Sequence, residues 1–306
     1  MRRSNALAVI ALGALLAIAA LGSARAEQFQ FAGRSLEIEP PQGYCALDRS
    51  HPDEAQMLDL QERLQKRQNR VAMMFLECQD LAQRRAGNAD DPQRYGMVLI
   101  PQPQGEVRAI PDMTRAEFVA AVAKPLPQLD ADALSRDIGD QVGQAVPGAT
   151  VNNVKLLGVL KQDARAVYVG VSVGGMSQDG KTVSDGAVGI TAITLVNQIP
   201  VSLNLYRVKG GAEAIPGLLA DQQRNVDALI AANAASEPPS PPIAPSPPSP
   251  SSMPSVPSTA EAAGSSWHGF NMDWAGSGAI QGIVIVGSGL LAAIAVGFVL
   301  ARRRRR

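Results

Sequence analysis

The stretch VGITAITLVNQIPVSLNL, residues 188–205, decides the fold class of this chain. Residues 188–196 form an apolar run that is rich in β-branched side chains, and residues 201–205 alternate apolar with polar side chains. Both patterns are typical of β-strands. Because only residues 197–200 separate the two strands, the stretch predicts an antiparallel hairpin.

Other strands are predicted at greater distance along the chain. QFQFAGRSLEIE, residues 28–39, alternates apolar with polar side chains on both sides of Gly33, which predicts a second hairpin. Apolar or alternating runs predict four more strands, at 71–76, 95–100, 154–160 and 167–173. The C-terminal strands follow one another without helices between them. We therefore expect an α+β fold with a mainly antiparallel sheet packed by helices.

Helical patterns fill the intervals between the strands. Residues 54–70 predict a helix with i,i+4 ion pairs Asp59/Arg63 and Glu62/Lys66. Thr114 and Glu117 have capping-box spacing before a helix at 118–124, which Pro125 ends, and further helices are predicted at 134–145 and 218–230. This order of elements resembles PsbP-like α/β/α sandwiches, which implies helices on both faces of the sheet.

The first 26 residues are typical of a secretory signal peptide. Arg2 and Arg3 precede an apolar run over residues 6–21, and the small-residue motif at 24–26 predicts cleavage after Ala26. An uncleaved anchor and a twin-arginine route are the alternatives. No cysteine lies near the cleavage site, which excludes a lipoprotein anchor.

The C-terminal end predicts a membrane anchor. Residues 279–301 are apolar except for Gln281 and Ser288, and 23 residues at about 1.5 Å each can cross a hydrocarbon core. The positive-inside rule places the following basic tail in the cytoplasm and the folded domain outside, as expected for a single-pass protein of the inner membrane. This cytoplasmic anchor consists of Arg302, Arg303, Arg304, Arg305 and Arg306.

Two further features surround the predicted anchor. Trp267, Phe270 and Trp274 precede it in a juxtamembrane segment, residues 261–278, where aromatic rings favour the membrane interface. Within the anchor, Gly289, Ala293 and Gly297 recur every four residues, so a homodimer through this small-residue ridge is possible. The alternative for the tail is a sorting signal that an enzyme cleaves and replaces, although no recognised sorting motif precedes it.

A proline-rich linker, residues 236–260, separates the membrane segment from one extracytoplasmic domain, residues 27–235. Ten of the 22 prolines lie between residues 237 and 259, a composition that favours polyproline II spacers. Without the basic residues of the signal and the tail, residues 27–275 carry 20 basic and 28 acidic side chains. This acidic balance argues against nucleic acid as a partner.

Two short sequences resemble a known pattern. PPQGYCALD, residues 40–48, followed by FLECQDL, residues 75–81, is similar to a pattern in uncharacterised exported, C-terminally anchored proteins of Gram-negative bacteria. The resemblance implies a periplasmic domain and implies no catalytic residue, cofactor or metal ligand.

Cys45 and Cys78 are the only cysteines, and in an exported domain they predict a disulfide. A catalytic Cys45 served by His51 is the alternative, but nothing in the sequence nearby would lower the pKa of the thiol. His51 and His268 are the only histidines, so a zinc site with the usual ligands is not expected.

Residues 175–182, GMSQDGKT, match the P-loop expression GxxxxGK[ST]. A phosphate cradle needs a helix that begins at the lysine, whereas the β-branched residues that follow predict a strand. We therefore interpret the match as a hairpin loop. Taken together, the sequence favours a non-catalytic domain that binds an envelope protein or ligand. An envelope hydrolase with a carboxylate pair is the alternative, to be recognised by convergent acidic groups in a cleft.

Overall fold

The hairpin at residues 188–205 lies inside a seven-stranded antiparallel sheet. The computed structural model describes residues 27–65, 68–88, 92–102 and 105–236. These residues contain twelve strands: β1 (Glu27–Phe31), β2 (Arg34–Ile38), β3 (Tyr44–Ala46), β4 (Asn69–Glu77), β5 (Arg94–Pro101), β6 (Ala149–Asn152), β7 (Lys155–Gln162), β8 (Val167–Val173), β9 (Gly175–Gln178), β10 (Lys181–Ser184), β11 (Ala187–Val196) and β12 (Ile199–Val208).

The strand order in the large sheet is β3-β4-β5-β12-β11-β8-β7, and every neighbouring pair is antiparallel. Asn197 and Gln198 connect β11 to β12 as a two-residue turn, both with positive φ, which suits the right-handed twist of the flanking strands. The predicted class, α+β with a mainly antiparallel sheet packed by helices, is confirmed. The predicted hairpin around Gly33 is also present, as the pair β1-β2.

Helices cover both faces of the large sheet. They are α1 (Pro52–Gln65), α2 (Cys78–Arg85), α3 (Arg115–Ala123), α4 (Ala131–Ala145) and α5 (Ile215–Asn233). On one face, α5 packs with the β1-β2 hairpin over side chains such as Val201, Leu203 and Leu205. On the other face, α1, α3 and α4 cover the sheet, and the small sheet β10-β9-β6 packs beside α4.

Buried amide side chains hold α5 against the sheet. Asn233 accepts a hydrogen bond from the Glu37 amide at 2.8 Å and donates one to the Glu37 carbonyl at the same distance. Gln222, also on α5, donates to the Leu203 carbonyl of β12 at 2.5 Å. Because these groups are buried, their hydrogen bonds fix the position of α5 relative to β2 and β12.

The predicted helix at 54–70 is wrong at both ends and in the Asp59/Arg63 ion pair. The helix begins at Pro52 and ends at Gln65, and residues 69–70 belong to β4. Asp59 pairs with Arg49 at 2.6 Å, and Glu62 also pairs with Arg49. Lys66 lies outside the described residues, so the Glu62/Lys66 pair stays a prediction.

The capping box is confirmed, because the Thr114 side chain accepts from the Glu117 amide while the Glu117 carboxylate accepts from the Thr114 amide. The structure adds four elements that the sequence patterns did not predict, namely the strands β3, β6 and β9 and the helix α2. All four are short, and short elements carry little periodicity.

Candidate functional site

The predicted disulfide is present. Cys45 and Cys78 are joined, with 4.9 Å between their Cα atoms. Cys45 lies in the middle of β3, and Cys78 is the first residue of α2. The bond therefore fastens a three-residue edge strand, which pairs with β4, to the helix that follows β4.

Other residues that the sequence singled out do not form a site in the described part of the chain. The His51 amide donates to the Asp48 carbonyl in the turn before α1, so His51 lies at the start of a helix. At the P-loop match, Lys181 begins strand β10 and pairs with Gln178, and positive φ values at Asp179 and Gly180 form the turn. The helix that a phosphate cradle requires is not formed there.

The predicted membrane residues lie outside the described residues. They are the interface residues Trp267, Phe270 and Trp274, the ridge Gly289, Ala293 and Gly297, and the arginines 302–306. Across residues 27–236, as far as the structure describes them, we find no helix with the length and apolar character of a bilayer span. The same residues contain no group of three or more His, Cys, Asp or Glu placed to hold a metal ion.

A pocket of about 550 Å³ lies between α5 and the loop that joins β2 to β3. Its volume is in the range of small-molecule sites, about 300–1,000 Å³. We call it the α5 pocket. Its lining comes from four separate segments: the loop and adjoining strand ends (Ile38, Glu39, Pro40, Pro41, Gln42, Tyr44), β5 (Arg94, Val98), β12 (Leu203) and α5 (Asp221, Arg224, Asn225, Ala228, Leu229, Ala232).

The geometry of α5 explains why the pocket is open. The lining residues of the helix recur at intervals of three and four, so they occupy one face. Ala228 and Ala232 on that face have short side chains, which leave space above the sheet. The buried Leu229 and the strand residues Val98 and Leu203 form the apolar floor.

The polar wall of the α5 pocket is organised around Arg94. Its guanidinium donates to the Asp221 carboxylate, and it lies 3.5 Å from the Glu77 carboxylate. The guanidinium carbon also lies 5.8 Å from the centre of the Tyr44 ring, within cation–π range. Arg224 pairs with the other oxygen of Asp221. The charges of Arg94, Arg224, Asp221 and Glu77 are thus paired with one another.

Tyr44 is the most buried polar side chain of this wall, with 8% of its surface exposed. Among the residues that the structure describes, neither its hydroxyl nor the Arg94 Nε has a hydrogen-bond partner, although both atoms are buried. Burial raises the pKa of the Tyr44 hydroxyl to about 12, and the nearby Arg94 charge partly offsets this. The hydroxyl is therefore neutral and able to donate at physiological pH.

The disulfide holds this wall in place. Tyr44 precedes Cys45 and pairs across the strands with Glu77, which precedes Cys78. The Cys78 amide donates to the Gly43 carbonyl at 3.0 Å. Cross-linking of the two cysteines therefore fixes both residues that flank Arg94.

Of the carboxylates near the pocket, Asp221 and Glu77 are paired with arginine, and Glu39 is an exposed residue of the lining. Burial raises the pKa of the Glu77 carboxyl, and Arg94 partly offsets this rise. Glu77 does not line the pocket, whereas Asp221 does and is bonded to two guanidinium groups. The charges of Asp221, Arg94 and Arg224 in the lining are therefore paired, and Glu39 is the exposed acidic residue there.

Sequence patterns did not indicate Arg94 or Asp221. Tyr44 and Pro40–Pro41 belong to PPQGYCALD, and Leu229 is one of the apolar residues of the predicted closing helix. The available signal was the polar-and-small stripe of Asp221, Asn225, Ala228 and Ala232 beside the apolar stripe of that helix. Such a stripe marks a helix face that is not fully packed.

No protein-family model matches the chain, and a search of curated proteins gave no match. Among solved structures, a similar chain is that of the Saccharomyces cerevisiae Ran-binding protein Mog1p. It is 10% identical, with a TM-score of 0.22, over 70% of this chain and 95% of that chain. A likeness of this degree supports no conclusion about fold or function.

Proposed function

We propose that this chain is a membrane-tethered, extracytoplasmic binding module of the cell envelope, and that the α5 pocket holds its ligand or a segment of its partner. One observation carries the proposal: a 550 Å³ pocket combines an apolar floor with a few polar residues in its lining. Sites for small molecules have this composition.

The ion pairs of the carboxylates Asp221 and Glu77 favour a binding function over hydrolysis. A carboxylate-pair hydrolase needs two acidic groups that converge on one substrate, with environments that separate their pKa values. Here Asp221 is held by Arg94 and Arg224, and Glu77 lies on the other side of Arg94, outside the pocket lining. Asp221 and Glu77 could act on a bound molecule only by breaking their ion pairs, and Glu39, the other carboxylate of the lining, is exposed to solvent.

The proposal also includes the location of the domain outside the inner membrane. Residues 1–26 direct export, residues 279–301 cross the inner membrane, and the proline-rich residues 236–260 hold the domain away from the bilayer. The helices on both sheet faces are compatible with a PsbP-like α/β/α sandwich. Pairing of two copies through Gly289, Ala293 and Gly297 would present two α5 pockets per assembly.

Photocrosslinking from inside the pocket tests the binding function. Gln42 lines the pocket and is exposed, so a benzophenone amino acid at this position should capture the bound molecule in intact cells. The same amino acid at Thr182, exposed in the turn-proximal part of β10, is the matched control. We expect an adduct of one reproducible mass increment, measured by intact-protein mass spectrometry, at position 42 alone. Equal labelling at both positions, or none at 42, would contradict the proposal.

Reporter fusions test the topology. A phosphatase that is active only outside the cytoplasm should be active when fused after Ser249 in the linker and inactive when fused after Arg306, because the positive-inside rule keeps the arginines cytoplasmic. Enzyme activity is normalised to the amount of fusion protein. The reverse pattern of activities would refute the proposed orientation.

A further inference from the structure

We propose that the free edge of β4 binds an extended peptide segment of a partner protein as an added strand. A cleft of about 790 Å³ lies along this edge, and its lining includes four consecutive residues of β4, 69–72. We call it the β4 cleft. It shares no lining residue with the α5 pocket, so it is a second site beyond the function proposed above.

The edge of β4 is free because β3 is short. β3 pairs with residues 75–77 of β4, and the Leu47 amide extends this pairing by donating to the Met74 carbonyl at 2.9 Å. Among the strands that the structure describes, none pairs with β4 on this side between Arg70 and Met73. Free backbone groups at a sheet edge are a template for another strand, so the cleft continues the line of β3.

The backbone of Val71 faces this free edge. The Gln102 amide donates to the Gln68 carbonyl at 2.8 Å, so the carbonyl of residue 68 points toward the β5 side. Backbone groups alternate in direction along an antiparallel strand, and the register of residues 69–71 with β5 is unbroken. The N–H and C=O of Val71 therefore point away from β5. Val71 is partly exposed and lines the cleft, so a peptide backbone can reach it.

Two walls flank the free edge. Val71 packs against the hydrophobic cluster on the α1 side, and Ala72 packs against the cluster on the side of the β1-β2 hairpin. A cavity that touches both residues lies at the edge of the sheet rather than on one face. The walls come from α1 on one side (Asp59, Glu62, Arg63) and from β1 on the other (Glu27, Phe29).

These walls suit a single peptide rather than the sheet of a second copy. The register shift between Val71 and Met73 is a β-bulge, which increases the local twist and hinders pairing between the edges of two sheets. An extended peptide is narrow enough to enter between α1 and β1, and it can follow the twist. Its backbone bonds to β4, while its side chains point alternately toward the two walls.

The walls also specify the pattern of the peptide. On the β1 side, the partly exposed ring of Phe29 favours apolar side chains at every second position. On the α1 side, the charged residues favour polar side chains at the positions between. Acidic and basic residues are equally numerous in the described lining, so no net charge of the peptide is specified: Glu27, Asp59 and Glu62 against Arg49, Arg63 and Arg70.

Phage display of random linear octapeptides on the purified full chain in lipid nanodiscs tests the inference, with protein-free nanodiscs for counter-selection. We expect enriched peptides with apolar residues at every second position. Each enriched peptide is then N-methylated at one backbone position at a time, and its affinity is measured by fluorescence anisotropy. An added strand should lose roughly tenfold in affinity at alternate positions and little at the others. No enrichment, or N-methylation effects without this period of two, would overturn the inference.

Val71→Pro tests the edge of β4 directly. Proline removes the backbone N–H that faces the cleft, and an edge strand tolerates proline where the N–H points outward. Peptide affinity should fall by roughly tenfold. If Val71→Pro does not fold, Phe29→Ala removes the aromatic wall instead and should weaken binding about fivefold. The control is Val159→Ala, at an exposed position of the opposite edge strand β7. Unchanged affinity in the cleft variants, or an equal loss in Val159→Ala, would overturn the inference.

A photoreactive amino acid at Arg70, which is exposed and lines the cleft, identifies the occupant. We expect it to capture the enriched peptide. A covalent dimer of the chain that Val71→Pro abolishes would show that the edge pairs with a second copy, and would overturn the inference. Capture at Gln42 should be unchanged in Val71→Pro. Absence of peptide binding with intact capture at Gln42 would refute this inference and leave the function of the α5 pocket standing.

Discussion

Cys45→Ala, Cys78→Ala and the double variant are expected to lose nearly the same free energy of unfolding, about 3–4 kcal/mol each. The two cysteines are separated by 33 positions, and the disulfide limits the conformations of the unfolded chain over that loop. Because removal of either cysteine breaks the same bond, the second substitution has little left to remove. The single losses are therefore far from additive.

Chemical denaturation of the purified protein, with and without reductant, measures this effect. Reduced wild-type protein should unfold at nearly the same denaturant concentration as the variants, which controls for the loss of the cysteine side chains themselves. Roughly additive losses would show that the cysteines act independently. The cysteines would also be shown to be unlinked if two thiols per chain reacted with a labelling reagent in unfolded, unreduced protein.

The loss should be accompanied by a local change at the α5 pocket. β3 has three residues, pairs with β4 at the edge of the large sheet and carries Tyr44 into the pocket wall. Without the covalent link to α2, this edge strand keeps its pairing to β4 and the packing of Tyr44 but loses its strongest constraint. We therefore expect the photoreactive amino acid at Gln42 to capture less ligand in Cys45→Ala than in the chain with the disulfide, at temperatures where both are folded.

Gly96→Ala is expected to destabilise the protein by about 3 kcal/mol or more. Gly96 lies in β5 between two neighbouring strands of the sheet. A Cβ atom at this position would overlap the Asn204 carbonyl oxygen and lie 2.5 Å from the Phe75 ring. Because one of these atoms belongs to the backbone of β12, relief of the overlap requires the two strands to separate.

Gly139→Ala is the matched control, since it adds the same methyl group within α4. Among the described atoms outside the backbone of its own helix, none lies within 4 Å of a Cβ built at Gly139, so the methyl group fits there. Alanine also has the higher helix propensity, and we expect a gain of up to about 1 kcal/mol. Both variants are compared with wild type by denaturant unfolding. A loss at Gly96 below about 0.5 kcal/mol would show that the sheet tolerates the added methyl group.

The long strands and the two hairpins could be predicted from sequence, whereas the order of the strands in the large sheet could not. Residues 188–205 form a hairpin because a β-branched run and an alternating run flank a short connection, and both properties are local. The capping box at Thr114 and Glu117 is local in the same way. The pairing of Cys45 with Cys78 followed from cysteine number and the predicted compartment.

The ends of the helices and strands, and the contacts of buried polar side chains, could not be predicted from the sequence patterns. The alternation of Ser202 and Asn204 with apolar residues is typical of a sheet face open to solvent. In the structure both side chains are fully buried, and Asn204 accepts a hydrogen bond from Thr191 at 2.7 Å. Helices on both faces of the sheet cause this burial, and periodicity within one strand does not report what covers it.

What the sequence determined by itself is thus the class of fold, the central hairpin, the capped helix and the disulfide, together with a predicted export signal and membrane anchor that lie outside the described residues. Only the tertiary structure decided the α5 pocket. Its lining brings together Tyr44, Arg94, Leu203 and Asp221, which lie far apart in sequence. Periodicity and propensity describe interactions between near neighbours, whereas these four residues meet only when β3, β5, β12 and α5 pack together.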